Sequence, residues 1–299
     1  MSENTHDSYT NPSPKEGNPL EPTSQQINET SVSSPEAVVS AEVSAQAQRQ
    51  PALYIENLAK TYKDKVAVDG VNLTIPRGSF YGLVGRNGAG KTTTLSMATG
   101  MLRPTAGEVF IDGINVWQNP LDAKSKMGVL PDGVYLFDKL TGEQLITYAG
   151  LLHGLDKDTV AQRTGDLLTA LDLQEAAGRR VSDYSAGMTK KVALAAAMIH
   201  APSLLVLDEP FEAVDPVSAS NIQDILRAYV ADGGTVILSS HVMDLVQRLC
   251  DHAAIMSDGR ILAEGTTDQV REGSSLEDRF VELVGGRKTS EGISWLKSS

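Results

Sequence analysis

Residues 78–93 read GSFYGLVGRNGAGKTT. The first half is a short apolar run behind a Pro-Arg-Gly turn, which reads as a buried strand. The second half, Gly85 to Thr93, matches G-x-x-x-x-G-K-[ST]. From about Lys91 to Met101 the pattern turns helical. Each residue type has a chemical reason. Glycines let backbone N–H groups curl around phosphate oxygens without a clashing side chain. Lys91 reaches β- and γ-phosphates as a point charge, and the Thr92 hydroxyl suits Mg²⁺, a hard cation that takes oxygen ligands. The competing reading is an ordinary Gly-rich turn. The strand–loop–helix setting counts against it.

The texture around this stretch is consistent with it. LYIENLAKTY and VAVDGVNLTI, from Leu53 on, read as strands. Residues from about Thr141 to His200 read as mostly helical, with periodic Leu, Ile and Ala. SLLVLDEP and GTVILSSH are short buried strands; SNIQDILRAYVAD and VMDLVQRLC are helices between and after them. HAAIMSDGRILAEG reads as a final hairpin. Strands alternating with helices predict an α/β fold whose mostly parallel sheet is covered on both faces.

Ligands of open parallel sheets bind beyond the carboxyl ends of the strands. Three strand ends carry chemistry here: the glycine loop after GSFYGLVG, Asp208 and Glu209 at the end of LLVLDEP, and His241 at the end of GTVILSSH. Asp208 suits Mg²⁺ held through water. Glu209 is placed to take a proton from an attacking water, and His241 to bond a γ-phosphate oxygen. Phosphoryl transfer needs such positioning and charge neutralisation more than covalent chemistry. Singly, the two carboxylates also read as caps of a following turn, and His241 as a helix cap or core histidine.

Bulk composition narrows the classes. Among 299 residues, 41% are apolar and 21% charged, which predicts a mainly globular chain. The net charge of -12 argues against a general nucleic-acid binder. Cys250 is the one cysteine, so no intrachain disulfide forms; it reads as a small buried hydrophobe on a helix. No apolar run approaches the ~20 residues that cross a bilayer, and no basic region followed by an apolar core suggests a signal peptide. A soluble, cytosolic chain is expected. Residues 1–50 are rich in Ser, Thr, Pro, Asn and Gln, with Tyr9 the only aromatic and seven acids against two bases. Such a segment cannot bury enough apolar surface to offset its ordering entropy, so it is expected to be a disordered solvating tail. Ser13-Pro14 and Ser34-Pro35 leave a regulatory role open.

One stretch resists a local reading. SDYSAGMTKKVALAAAMI, Ser182 to Ile199, is a helix with Lys190 and Lys191 near its start. Cations there oppose the helix dipole. Either they are solvated or an anion comes to that end.

Taken together, these motifs resemble the ATP-binding subunits of ABC transporters, over about residues 53 to 270. The resemblance implies a P-loop NTPase fold with an antiparallel β subdomain and a helical subdomain at about 133–200. It divides the chain into an acidic tail (1–50), an ABC ATPase domain (51–270) and a C-terminal helix and mobile tail (271–299). GRNGAGKTT is similar to the Walker A motif, which implies nucleotide contacts from Gly85, Arg86, Asn87, Gly88, Ala89, Gly90, Lys91, Thr92 and Thr93. LLVLDE resembles the Walker B motif with its catalytic Glu209, and His241 the switch histidine; with Lys91 these are the implied catalytic residues. Tyr62 falls where the family stacks an aromatic on adenine, although packing alone would explain a tyrosine there. EAVDP resembles the D-loop, with Asp215 in the aspartate position. YSAGM resembles the signature, with Ser185 and Gly187 keeping the contacting positions and Ala186 and Met188 departing from the commonest residues.

In this family each signature closes on the phosphate held by a second subunit. The resemblance therefore implies a partner cassette, as a homodimer or a heterodimer, with ATP and Mg²⁺ as cofactors. It also implies a separate multi-span membrane permease, placing this chain at the cytoplasmic face of the cell membrane. The two lysines would add positive potential near the anion while remaining mainly solvated. In MGVLPDGVYLFDKLT, Asp132 stands where the family's Q-loop usually has glutamine. It keeps an oxygen for Mg²⁺, or is simply a turn residue in Pro-Asp-Gly. The context looks more like exporters than importers. A soluble ABC ATPase acting on ribosomes or DNA, and an ATP sensor without turnover, are the alternatives; nucleic acid is not expected. SSLEDRFVELVGG reads as a short C-terminal helix, and Trp295 beyond it as a candidate docking point.

Overall fold

The computed structural model describes residues 50–133 and 136–286. The expectations for the N-terminal tail, and for Trp295 in the C-terminal segment, lie outside these residues. A hairpin of β1 (Leu53–Tyr62) and β2 (Lys65–Ile75) leads to β3 (Phe80–Val84) and α1 (Lys91–Ala98). β4 (Ala106–Ile111), β5 (Ile114–Asn115) and α2 (Pro120–Lys126) precede β6 (Met127–Leu130). Three helices follow: α3 (Gly142–Leu152), α4 (Lys157–Ala170) and α5 (Ala186–Met198). The chain then alternates through β7 (Leu204–Asp208), α6 (Pro216–Ala231), β8 (Thr235–Ser240) and α7 (Met243–Leu249). It closes with β9 (His252–Ser257), β10 (Arg260–Thr266), α8 (Thr267–Arg271) and α9 (Leu276–Leu283).

Two sheets result. One is four-stranded and antiparallel, in the order β2-β1-β4-β5. The other is six-stranded, in the order β10-β9-β3-β8-β7-β6. Its strands from β9 to β6 are parallel, and only β10 runs the other way, at the edge. The unbroken apolar runs of β3, β7 and β8 follow from this. Every residue of these three strands is buried, as expected for parallel strands covered on both faces.

The period of two sorts their side chains into two cores. Phe80, Val84, Leu205, Leu207, Val236 and Leu238 join the helix-side core with Ile146, Val192, Leu194 and Val246. Tyr81, Leu83, Leu204, Val206 and Ile237 join the other, with α1 and the antiparallel sheet. The sheets are also tied by polar bonds: Tyr81 O–H and the Thr74 N–H both donate to Glu264 Oε1 at 3.0 Å.

Helix ends refine the sequence reading. α1 stops at Ala98 rather than Met101, because Gly100 turns left-handed at φ 72 just beyond it and stops the last turn there. α5 starts only at Ala186; Val181–Asp183 forms a 3₁₀ turn, and Ser185 caps the helix by accepting from the Met188 N–H at 3.2 Å. Cys250 caps the end of α7 and is buried, which pushes its thiol pKa up and leaves it inert.

Candidate phosphate site

Gly90 opens α1 at φ 109, a conformation that favours glycine. Among the described residues α1 has no side-chain cap and no acid in its first turn. Its N-terminal N–H groups and dipole therefore face the 85–90 loop, as anion binding requires. Lys91 is only 5% exposed. Its Nζ curls back to donate to the Gly85 carbonyl at 2.8 Å.

Strand register assembles the rest. Val84 pairs with Ser240, and Asp208 with Ser239. The residues that follow, Gly85, Glu209 and His241, thus leave the same edge of the sheet. Glu209 is 8% exposed and central. Oε1 lies 3.3 Å from Lys91 Nζ, and Oε2 is 3.0 Å from His241 Nδ1. The Glu209 N–H donates to Ser239 Oγ at 3.0 Å, and the Ser239 hydroxyl donates to Asp208 Oδ1 in a short bond. Glu209 itself is left-handed, φ 46, a strain of about 1–3 kcal/mol for a non-glycine residue. Ser239 escaped the sequence reading. Its one signal was a Ser-Ser pair closing the apolar run Val236–Leu238, just before His241.

These groups open on a cavity of about 570 Å³. Asn87, Gly88, Gly90, Lys91, Thr92, Thr93, Asp132, Glu209 and His241 line it, with Tyr62 at one side. Lys65, Glu212 and Asp258, which sequence reasoning passed over, line it too. Tyr62 is 47% exposed. Lys60 sits over its ring, with Nζ 5.3 Å from the centroid and anchored to the Arg103 carbonyl at 2.7 Å. Thr92, Asp132 and Asp208 also share a small cavity of about 50 Å³. Among the described residues, no three His, Cys, Asp or Glu side chains cluster as a metal cage. A hydroxyl and two carboxylates remain, an all-oxygen set that suits a cation keeping several of its own waters.

Ser185, Gly187 and Asp215 are not part of this cavity. A Cβ on Gly187 would meet Asp215 Oδ2 and Ser218 Oγ at 3.0 Å, so the start of α5 is pressed against the start of α6. Asp215 caps α6, accepting from the Val217 and Ser218 N–H groups at 3.1 and 3.0 Å. Its bonds to Ser218 hold its carboxyl pKa below the usual carboxylate range. The expectation that Lys190 and Lys191 are mainly solvated is corrected. Lys191 is buried, and Lys190 Nζ donates to the Glu209 carbonyl at 3.1 Å. The helix-side core draws both side chains in, because α5 is buried along most of its length.

The cavity thus offers backbone amides and a lysine for a polyphosphate, oxygen ligands for a cation, and a carboxylate–imidazole pair for a water. Known proteins agree with it. A family model described as ABC transporter matches residues 68–212. The chain is 36% identical over 236 residues to the daunorubicin/doxorubicin resistance ATP-binding protein DrrA of Streptomyces peucetius, covering 78% of this chain and 71% of that protein. It is 35% identical over 233 residues to the Nod factor export ATP-binding protein I of Cupriavidus metallidurans, covering 78% and 77%. The fold matches a dimeric bacterial ABC transporter cassette with a TM-score of 0.67 at 25% identity, over 72% of this chain and 98% of that one. The chain belongs to the ABC transporter family, as an ATP-binding and ATP-hydrolysing subunit.

Proposed function

We propose that this chain powers export through a separate multi-span membrane permease, working at the cytoplasmic face of the membrane as one of two head-to-tail cassettes. The observation that carries the reading is the contact of Lys91, Glu209 and His241 at the rim of one cavity of about 570 Å³. Residues 85–93 wrap the triphosphate, and Tyr62 stacks on the base. Glu209 takes the proton of the attacking water while His241 holds the γ-phosphate side. Thr92, Asp208 and Asp132 would hold Mg²⁺, which would supply charge neutralisation to the phosphates. Ser185, Gly187 and Asp215 lie outside the chain's own cavity, which supports their acting on the ATP of a second copy or a similar subunit. The catalytic unit spans residues 51–270, with the helical part at about 133–200; 1–50 and 271–299 flank it. Among the described residues no helix is long and apolar enough to cross a membrane. The drug-resistance and Nod factor export names of the relatives support the outward direction.

The test is a pull-down from solubilised membranes with tagged Glu209→Gln protein and Mg-ATP. A stoichiometric multi-span protein is expected. Ribosomal proteins or DNA-bound factors in its place would refute the transport role.

A further inference from the structure

Lys190 is the fifth residue of α5, just past the first turn. Among the described residues its side chain is bonded to no carboxylate. Its ammonium donates to a neutral acceptor, the backbone carbonyl of Glu209, at 3.1 Å. That oxygen also accepts from the Glu212 N–H at 3.2 Å. On the other side of the residue, the Glu209 N–H is held by Ser239. Three bonds therefore pin the two peptides flanking a residue at φ 46. Such a backbone persists only when its surroundings over-determine it. The Ser239 and Glu212 anchors come from β8 and from the loop that Glu209 itself begins. Lys190 alone comes from α5, whose first turn also presses Gly187 against Asp215 and Ser218.

We propose that Lys190 is a positioning residue for hydrolysis in its own chain. It holds the Glu209 carbonyl so that the carboxylate stays on Lys91 and His241, and it ties that carboxylate to the helix whose start would complete the second subunit's site. The proposal rests on the roles assigned above to Glu209 and to the signature helix, and adds a link between the two composite sites. When a partner's nucleotide pulls on the start of α5, the strained turn at Glu209 feels it through one ammonium.

The experiment uses the full chain and phosphate release from ATP. Lys190→Met keeps length and packing but removes the donor. Loss of one charge-assisted hydrogen bond predicts a kcat about tenfold lower, with KM for ATP within about twofold. Lys190→Arg, which restores a charged donor, should recover most of the rate. Mixed dimers of two differently tagged chains then separate own-chain from cross-chain action. In the first pairing, Lys190→Met is on the chain with intact Glu209, and the other chain carries Glu209→Gln. In the second, both changes are on one chain and its partner is unaltered. The first should turn over about tenfold more slowly than the second. Both pairings contain the same substitutions, so a folding defect cannot produce the difference. Equal rates, or a slower second pairing, overturn the proposal. If Glu209→Gln abolishes turnover while Lys190→Met leaves kcat intact, this proposal alone falls. If Glu209→Gln leaves turnover intact, the functional reading falls and this proposal with it.

Discussion

Glu209→Gln should tighten ATP binding, even as it stops hydrolysis. Glu209 Oε1 is 3.3 Å from Lys91 Nζ, and both groups are buried. At an effective dielectric of ~20, unit charges at that separation attract by about 5 kcal/mol. Desolvation cancels most of this, leaving a net pairing of ~1–2 kcal/mol. A triphosphate must take Lys91 from this partner and also bring its own charge up to the carboxylate. Glutamine is nearly isosteric, so it removes both penalties and leaves the cavity's shape. Lys91 keeps the Gly85 carbonyl at 2.8 Å but loses its counter-charge, so the ligand-free variant should be about 2 kcal/mol less stable. ATP restores the counter-charge in both forms, so its affinity for the variant should rise by roughly thirtyfold. Isothermal titration with Mg-ATP reads the affinity; urea unfolding with and without nucleotide reads the stability. Equal or weaker binding by a folded Glu209→Gln chain would refute competition between Glu209 and phosphate for Lys91.

Other residues carry equally specific expectations. Gly128→Ala would place a Cβ 2.1 Å from the Ala197 carbonyl oxygen and 2.8 Å from Leu205 Cδ2, jamming β6 against α5. Urea denaturation should show a loss of about 1–3 kcal/mol, and an unchanged midpoint would contradict that close packing. Ser185→Ala removes the α5 cap and should cost ~1 kcal/mol in the same assay, whereas Ser185→Asp, which keeps an acceptor, should cost less; equal losses would argue against capping. His200 stacks on His153, ring centroids 3.6 Å apart. Burial, then the charges of His153 and Arg163, lower its pKa from 6.5 to about 4. The unfolded chain therefore binds the proton first. Stability is complete above pH 6.5 and falls as the pH drops from 6.5 towards 4. About 1 kcal/mol should be gone by pH 5, after discounting for partial exposure. His200→Gln, with an amide to reach the Met127 carbonyl, should flatten that slope; a slope that persists assigns it elsewhere.

What could be read from the sequence follows a physical line. The glycine loop and the strands ending in Asp208 and His241 were legible because their requirements are local. A parallel strand covered on both faces must be apolar throughout, and a phosphate cradle needs glycines at fixed offsets. The bulge in β1 was not legible. Its register shifts between Ile55 and Leu58, with Asn57 left-handed at φ 47, because Gly107 on β4 backs onto the Asn57 carbonyl. That approach exists only once β4 has paired. The environment of Lys190 escaped for the same reason. A lysine on a helix is normally solvated, and its acceptor here is the backbone carbonyl of the strained Glu209, within reach of α5. Sequence names side chains, whereas this bond depends on where a distant peptide points.

The position of β3 carries a consequence for how the chain comes into being. This strand leads into the glycine loop at 85–90, yet its neighbours on either side are β8 and β9. The Phe80 N–H, for instance, waits for the Asp251 carboxylate, 171 positions further along. A ribosome delivering ~5–20 residues per second will therefore have made the Walker loop many seconds before its strand has a partner. During that interval β3 is an apolar segment with two open edges, the kind that recruits other chains. Nucleotide cannot shelter it, since His241 and Glu209 have not yet arrived. The nascent subunit should gain protection from ATP only after β9 emerges. Chains cut short before His252 should be ones the cell must clear rather than use.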